Sequence, residues 1–271
     1  MTVPDIKTGL NQGLAWITQG WHLIRKQPSR WLGMAVVYLA FGFVLTRIPF
    51  MGALLLVLVT PMLLASAVWH LGRENDTAPP QEAGSNAAPA TGWLQDWLVR
   101  PAQELISIFS QEEQVFGAVL LGIVTLGLTM VVKIIGYLFI GGSMLSGLAA
   151  GPAGAVPLSA WLGMGVLTIL HLLLTMGLFF SVPLTVLHKR QPFEAIAESF
   201  SICRGNAVPL LAMTAPFYVA YLGVAIAFNF NHWLGYLLLF GLGIGALPLF
   251  MTSVYSSYQS LFPPATHGTG R

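Results

Sequence analysis

Few side chains in this chain have the type and placement that chemistry requires, and the most distinctive is a histidine within an apolar segment. His171 lies in the segment Ser159–His188, about 18 Å from its start at 1.5 Å per residue, a depth that matches the centre of a bilayer. Thr168 and Thr175 flank it on the same helical face. A neutral imidazole can form hydrogen bonds there with a backbone carbonyl or with those hydroxyls. This structural role is the preferred interpretation, and a haem ligand or a proton relay is the alternative.

Haem ligation by two histidines requires a second histidine at a similar depth. His70, His188 and His232 lie at the ends of apolar segments, which argues against haem. The other ionisable residue inside such a segment is Lys133, a functional candidate by default. It lies close to one end of its segment, where a lysine stem can reach the interface. We therefore prefer snorkelling for Lys133 and keep an intramembrane role as the alternative.

The remaining motifs argue against an enzyme. The chain has no HExxH, GxSxG, Walker A or EF-hand pattern, and its single cysteine, Cys203, excludes an intrachain disulfide and a CxxC site. The stretch FGLGIGA at 240–246 lacks the strand that precedes a dinucleotide-binding loop, so Gly241 and Gly245 are predicted to serve helix packing. The sequence thus predicts no catalytic residue, no cofactor and no metal site.

The elements that must position these residues follow from the composition. Hydrophobic residues make up 55% of the 271 residues and charged residues only 8%, against about 25% in soluble domains. The mean hydropathy is +0.74. Such a chain cannot cover a water-facing surface with polar groups, so lipid must be its solvent. The net charge of +2 is too small to indicate a nucleic-acid partner, and none is expected.

Six segments have the length and apolarity of a membrane-spanning helix, which needs about 20 residues. They are Trp31–Thr46, Ile48–Leu71, Val115–Phe139, Ser159–His188, Ala207–Phe228 and His232–Phe262. Lys133 is the only Asp, Glu, Lys or Arg within them. We therefore predict an all-α polytopic membrane protein with six transmembrane helices, residues 1–271 forming one integral membrane domain.

The basic residues predict the orientation of these spans. Apart from Arg47 and Lys133, every Lys and Arg lies in Met1–Arg30, Arg73–Gln114, Lys189–Asn206 or the C-terminal tail. By the positive-inside rule these stretches are cytoplasmic. We expect a multi-pass protein of a bacterial inner membrane with both termini in the cytoplasm. Residues 75–92 have the composition of a flexible cytoplasmic linker.

Three polar stretches carry apolar stripes at helical spacing and are predicted to be amphipathic helices at the cytoplasmic interface. The stripes consist of Ile6, Leu10, Leu14, Ile17, Trp21 and Ile24; of Pro101, Leu105 and Phe109; and of Phe193, Ile196, Phe200 and Cys203. The alternative is that they pack on the cytoplasmic ends of the bundle. Their aromatic and basic side chains are candidates for contact with lipid head groups or a partner. These are Trp16, Trp21, Arg25, Lys26, Trp93, Trp97, Arg100, Phe200 and Arg204, and the alternative is that they only anchor the bundle.

Each amphipathic stretch precedes a pair of spans, and the three units align without gaps. Ile17, Leu105 and Ile196 correspond, as do Trp21, Phe109 and Phe200. We predict a threefold parallel repeat of an interfacial helix and a transmembrane hairpin. The units are approximately 10–71, 101–188 and 192–262.

The third unit carries a resemblance to known families. AIAESFSICRGNAVPLL at Ala195–Leu211 resembles a recurring segment, A-x-x-x-S-F-x-x-x-x-x-N-x-x-x-L-L, of uncharacterised bacterial inner-membrane families. One relative is the membrane domain fused to some bacterial glycerophosphodiester phosphodiesterases. Gly20–Leu39 is similar to the start of six-helix proteins of proteobacteria. The resemblance implies a six-helix inner-membrane fold, and it supplies no catalytic residues and no phosphodiesterase activity.

Together these features predict a non-enzymatic integral membrane protein that acts as an accessory, scaffold or assembly subunit. Its expected partners are membrane lipids, other membrane proteins or further copies of itself. The alternative is a transporter of small molecules or lipids, which needs polar groups at the midplane beside broken helices. A second alternative is a membrane-embedded enzyme, which needs convergent polar groups at one depth.

Overall fold

The computed structural model describes residues 6–49, 51–76, 92, 95–106, 112–149 and 158–262, and every regular element within them is helical. The α-helices are α1 (Ile6–Lys26), α2 (Pro28–Thr46), α3 (Met51–Asp76), α4 (Arg100–Ile106), α5 (Glu112–Ala149), α6 (Leu158–Leu178), α7 (Ser181–Leu187), α8 (Pro192–Gly205), α9 (Ala207–Phe230) and α10 (His232–Leu261). A π-helical turn, Gln95–Val99, directly precedes α4.

Six helical stretches of the described chain are long and apolar enough to cross a membrane. They are Pro28–Thr46, Met51–Gly72, Val115–Leu138, Trp161–Leu187, Ala207–Phe230 and His232–Leu261. The fourth consists of α6 and α7 in succession. Helices suit lipid because they satisfy their backbone hydrogen bonds internally. Within the described residues, the prediction of an all-helical chain with six helices able to span a membrane is confirmed.

Local sequence signals set several helix ends. Pro28 and Pro192 open α2 and α8, where the missing backbone N–H is not needed. The side chain of Asn231 accepts the backbone N–H of Trp233 at 2.8 Å and so caps α10. Helices α3 and α5 continue beyond the predicted spans, and residues 77–91 of the predicted linker lie outside the described residues.

Helices α1, α4 and α8 cover one end of the bundle, at the start of α2 and α9 and the end of α3, α7 and α10. We call it the helix-capped end. Helix α1 packs on α9 and α10, α4 on α2 and α3, and α8 on α6 and α7. Thus α4 and α8 each cover the pair of spans that precedes them in the chain, and α1 covers the last pair. The first helix of the chain is in this way held by the last two.

Glycines seat α1 on its two partners. A Cβ atom at Gly9 would meet the Val208 side chain at 2.8 Å, and one at Gly20 would meet the backbone nitrogen of Ser253 at 2.8 Å. Trp16 lies on the same face and is 1% exposed. Small residues allow backbones to approach closely, and this close packing drives helix association in lipid.

The apolar stripe predicted for α1 lies beside this glycine face. Leu10, Leu14 and Trp21 are 44%, 54% and 46% exposed, whereas Ile24 at the end of the stripe is buried. Helix α1 therefore packs on the bundle with one face, and a second, apolar face is exposed on the outside of the bundle.

Candidate functional site at the broken fourth span

The fourth span is interrupted close to the helix-capped end. Helix α6 ends at Leu178, α7 begins at Ser181, and Phe179 and Phe180 form a turn between them. Pro183 accounts for part of the break, because it has no N–H for the Phe179 carbonyl and its ring would clash with that carbonyl in a continuous helix. A break inside a membrane span leaves backbone groups that need other partners.

Ser199 of α8 is such a partner. Its oxygen accepts the N–H of Phe180 at 3.0 Å, and its hydroxyl donates to the Met176 carbonyl at 2.8 Å. In an uninterrupted α-helix, these two backbone groups would bond to each other. Ser199 is completely buried. Its side chain is thus inserted into the hydrogen-bond ladder of the span and bridges the break.

The buried face of α8 holds Ser199 in place. Ala195 is 0% exposed and Cys203 is 3% exposed. Gly177 of α6 gives α8 room, since a Cβ atom there would meet Ile196 at 3.0 Å. Burial raises the pKa of the Cys203 thiol to about 11, while a hydrogen bond with Ser199 acts in the opposite direction. The thiol is therefore neutral at physiological pH and a poor nucleophile.

An open apolar cleft of ≈ 740 Å³ adjoins the break, between α6 and the α9–α10 pair, and we call it the lateral cleft. Its walls include Thr175, Phe179, Phe217, Tyr221, Gly243 and Phe250. The Phe250 ring makes edge contacts with Phe179 and Phe217, with centroids 6.2 and 5.2 Å apart. Thr175 and Thr214 of the lining donate to backbone carbonyls of their own helices at 2.8 and 2.9 Å. The hydroxyls of these two threonines are therefore bonded within their own helices and add little polarity to the cleft.

A smaller pocket of ≈ 380 Å³ lies on the other side of the break, between α2, α3, α5 and α7. Five hydroxyl groups line it, and we call it the hydroxyl pocket: Tyr38, Thr60, Thr125, Thr129 and Ser181. The Thr60 hydroxyl donates to the Leu56 carbonyl at 2.6 Å, so Tyr38 is the donor in its 3.0 Å hydrogen bond with Thr60. The Thr125 hydroxyl is buried and has no hydrogen-bond partner among the described residues.

His171 lies on the exposed side of α6 and does not line either cavity. Its Nδ1–H donates to the Leu167 carbonyl at 3.0 Å, since a carbonyl can only accept. Thr168 and Thr175 donate to backbone carbonyls instead of the imidazole. The sequence offered His171 a backbone carbonyl or the two threonine hydroxyls as partners, and in the structure it bonds to the backbone carbonyl. Lys133 is exposed near the end of the third span.

The predicted interfacial residues occupy both exposed and buried positions. Trp21, Arg25, Lys26, Trp97, Arg100 and Arg204 are exposed, Phe200 is half-buried, Trp16 is buried, and Trp93 lies outside the described residues. The Arg25 guanidinium lies 5.5 Å from the centroid of the Trp21 ring. The exposed members bring aromatic and basic groups together at the helix-capped end, and Trp16 packs inside the bundle.

The two glycines predicted to pack helices face open space in the described chain. A Cβ atom at Gly241 or Gly245 would have no neighbour within 4 Å. Gly243, which lies between them, is the glycine in contact, because a Cβ atom there would meet Leu39 at 3.0 Å. None of the described residues therefore provides the helix contact predicted for Gly241 and Gly245.

No family model matches this chain, and neither does a curated protein or a solved structure. Among the described residues, no group of three or more His, Cys, Asp or Glu side chains is placed to hold a metal ion. The geometry of the site is therefore the basis for the function proposed below.

Sequence reasoning did not identify Ser199 or the hydroxyl pocket. A partial signal was present, because Ala195, Ser199 and Cys203 follow one another at spacings of four and are all small. Such spacing indicates a tightly packed helix face. The hydroxyls of the pocket gave no comparable signal, since they come from four different helices.

Proposed function

We propose that this chain is a non-enzymatic membrane protein of accessory or scaffold type that binds lipid, with an acyl chain seated in the lateral cleft. The observation that carries this proposal is the open cleft of ≈ 740 Å³ within the spans. In the hydrocarbon core of a bilayer, acyl chains surround the protein and can fill such a space. An empty cleft would be less favourable, because its walls would lose dispersion contacts. The rings of Phe179, Phe217 and Phe250 supply rigid apolar area for that contact.

Photo-crosslinking in nanodiscs tests this proposal. A phospholipid with a diazirine in its acyl chain should label peptides of α6, α9 and α10. Ala220→Trp fills the cleft and should lower this labelling, because Ala220 lies in its wall. Ala215→Trp is the matched control on the exposed side of the same helix and should leave labelling unchanged. Equal labelling of both variants would count against an acyl chain in the cleft.

We further infer that the chain is a threefold parallel repeat with interfacial helices, as the sequence predicts. The packing of each non-spanning helix on the hairpin of another unit supports this inference. The buried residues Gly13, Trp16, Gly20 and Ile24 of α1 align without gaps with the buried residues Pro192, Ala195, Ser199 and Cys203 of α8. In the middle unit, Pro101 and Leu105 are buried, and Phe109 lies outside the described residues.

Expression of the chain as two separate pieces tests whether each non-spanning helix packs on the hairpin of another unit. The chain is divided after Ser85, within the predicted linker, and the two pieces are co-expressed with a tag on the first. We expect the second piece to co-purify, since α1 packs on α9 and α10 while α4 packs on α2 and α3. Recovery of the tagged piece alone would contradict this packing between units.

The proposed location is a bacterial inner membrane, with the helix-capped end and both termini in the cytoplasm. Exposed Arg25, Lys26 and Arg204 at that end support this orientation. The kinship with six-helix inner-membrane proteins is likewise a proposal, supported by the residues of Gly20–Leu39 and Ala195–Leu211 quoted above.

Lipid transport is the second candidate function, and the hydroxyl pocket is the observation that favours it. Polar groups beside a broken helix within the membrane are what transporter sites require. Thr125 lines this pocket, and its buried hydroxyl has no hydrogen-bond partner among the described residues. In proteoliposomes with fluorescent phosphatidylcholine, transport would expose inner-leaflet label to dithionite, and Thr125→Val would slow it. Protection equal to that of protein-free vesicles would exclude transport of this lipid.

A further inference from the structure

Helix α1 lies against the sides of the last two spans, close to the helix-capped end. Its glycine face packs on Val208 of α9 and on Ser253 of α10. Both residues belong to the stretches that are long and apolar enough to cross a membrane. A helix in this position is level with the outer part of the spans, where the hydrocarbon core of a bilayer meets its head groups. The outward side of α1 therefore faces the surroundings of the bundle at the depth of the interface.

The residues of α1 fall into three sectors around the helix. The first sector, with Gly13 and Gly20, is buried against the bundle. The second sector is apolar and exposed, and it consists of Ile6, Leu10, Leu14 and Trp21. The third sector is polar and exposed, and it includes Asn11, Gln19 and Lys26. A helix on the surface of a soluble protein needs only the first and the third, whereas an exposed apolar sector beside a polar one is typical of a helix at a membrane interface.

Arg25 lies on the boundary between the apolar and the polar sectors. At 3.6 residues per turn it is about 60° from Leu10, on the side away from the buried sector. Its guanidinium lies 5.5 Å from the centroid of the Trp21 ring. Tryptophan rings favour the head-group level of a bilayer, and a long basic side chain beside such a ring can extend to the lipid phosphates. The next residue, Lys26, is exposed as well.

No ion pair with a described residue neutralises Arg25 or Lys26. Helix α1 has no acidic residue, and the helices on which it mainly packs, α9 and α10, have no Asp, Glu, Lys or Arg. Helix α2 contributes Arg30, which is paired with Glu104 of α4 at 2.5 Å. Asp5 lies outside the described residues and precedes the start of α1, whereas Arg25 and Lys26 are at its end. The end of α1 is thus positively charged beside an exposed apolar surface.

We propose that the end of α1 binds the phosphate of anionic phospholipids in the surrounding leaflet. Arg25 and Lys26 donate charge-assisted hydrogen bonds to the phosphate, and Trp21 lies along the first part of an acyl chain. Charge complementarity favours an anionic lipid, because the ammonium group of a zwitterionic lipid offsets its phosphate. The proposal rests on the interfacial placement of α1 proposed above and adds which lipid meets the helix. It is separate from the lateral cleft, which no residue of α1 lines.

Fluorine NMR of the full chain in nanodiscs tests this site. The tryptophans carry fluorinated indole rings, and the discs contain equal amounts of phosphatidylcholine and phosphatidylglycerol, one of which bears a doxyl spin label near the top of its acyl chain. The Trp21 signal is assigned by its loss in Trp21→Phe. Labelled phosphatidylglycerol should broaden it about five times as much as labelled phosphatidylcholine, the effect of one cation near an anionic surface. Trp16 is 1% exposed and should be broadened less by either lipid.

Arg25→Gln combined with Lys26→Gln should make the two lipids broaden the Trp21 signal equally. The double variant should remain folded, because both side chains are exposed. Lys133→Gln is the matched control, since Lys133 is an exposed lysine on α5 and not on α1. It should leave the preference for phosphatidylglycerol unchanged.

The possible results separate this site from the interfacial placement of α1. Equal broadening by the two lipids in the unaltered chain would overturn the anionic site and leave α1 at the interface. A preference that persists in the double variant, or that is lost equally in Lys133→Gln, would also overturn the site. No broadening by either lipid would show that α1 lies outside the lipid, and the interfacial placement would then fail together with the site.

Discussion

The oxygen of Ser199 lies 3.0 Å from the backbone nitrogen of Phe180, at the place of a hydrogen bond that a continuous helix would make internally. Ser199→Ala removes this acceptor and leaves a buried N–H without a partner. Such a loss costs about 1–3 kcal/mol. We expect this variant to have a lower Tm in detergent, and tryptophan fluorescence during heating measures it.

Ser201→Ala is the control for that variant, because Ser201 lies on the exposed side of the same helix. Exposed substitutions of this kind change stability by about 0.5 kcal/mol or less. Equal Tm values for the two variants would show that the bridge across the broken span contributes nothing to stability.

Cys203 should react slowly with iodoacetamide in the folded protein. Its thiol is buried and burial raises its pKa to about 11, so little thiolate exists at neutral pH. The rate in the folded state should climb as the pH approaches 11, and protein denatured in dodecyl sulfate should react readily at pH 9. Similar rates in both states at pH 8 would contradict this burial.

The same shift makes stability depend on pH at the alkaline end. The folded pKa of Cys203 lies above its ordinary value of 9.0, so the neutral thiol stabilises the fold. This contribution is fully present below pH 9 and is lost as the pH rises through about 11. Cys203→Ala should lack this loss in thermal unfolding between pH 9 and 11.

Gly20→Ala should lower the stability of the protein, whereas Gly241→Ala should not. A methyl group at Gly20 would meet the backbone of Ser253 at 2.8 Å, which forces α1 away from α10. A methyl group at Gly241 meets nothing within 4 Å and should be neutral or stabilising by up to about 1 kcal/mol, through helix propensity. Thermal unfolding of both variants measures the contrast. A Gly241→Ala variant that loses self-association in detergent would instead reveal contact between copies through this glycine.

Cysteine labelling should report the orientation of the chain. A membrane-impermeant maleimide applied to intact cells should reach cysteines placed at Gly147 and Asn231 but not at Ser85. The basis is the concentration of Lys and Arg in the stretches on the Ser85 side. The native Cys203 is buried and should give little background. Labelling only at Ser85 would reverse the proposed orientation.

The amino-acid sequence determined the class of this protein and the number of its spans. Segments such as Val115–Phe139 are apolar over more than the length that a bilayer requires, and a backbone in lipid has little choice except helix. Local residues also mark where helices begin or break: Pro192 opens α8, Asn231 caps α10, and Pro183 lies beside the break before α7. These features depend on neighbours in the sequence, so they can be predicted from it.

The contacts between helices could not be predicted in the same way. Leu10 and Leu14 form the most regular apolar stripe of α1, yet Gly9, Gly13 and Gly20 form its buried face. In water, burial of apolar area would favour the leucines. In lipid that preference disappears, and helices associate through small residues that permit close approach.

The candidate site was decided by the tertiary structure alone. Ser199 completes a hydrogen-bond ladder between Met176 and Phe180, which lie on another helix and in a turn some twenty residues earlier in the chain. Thr185 is unusual only because α5 buries it and leaves its hydroxyl without a partner. A hydroxyl in an apolar sequence has no fixed partner until the helices around it are packed. The sequence therefore determined that the chain has helices able to cross a membrane, and only packing decided which of its few polar groups meet.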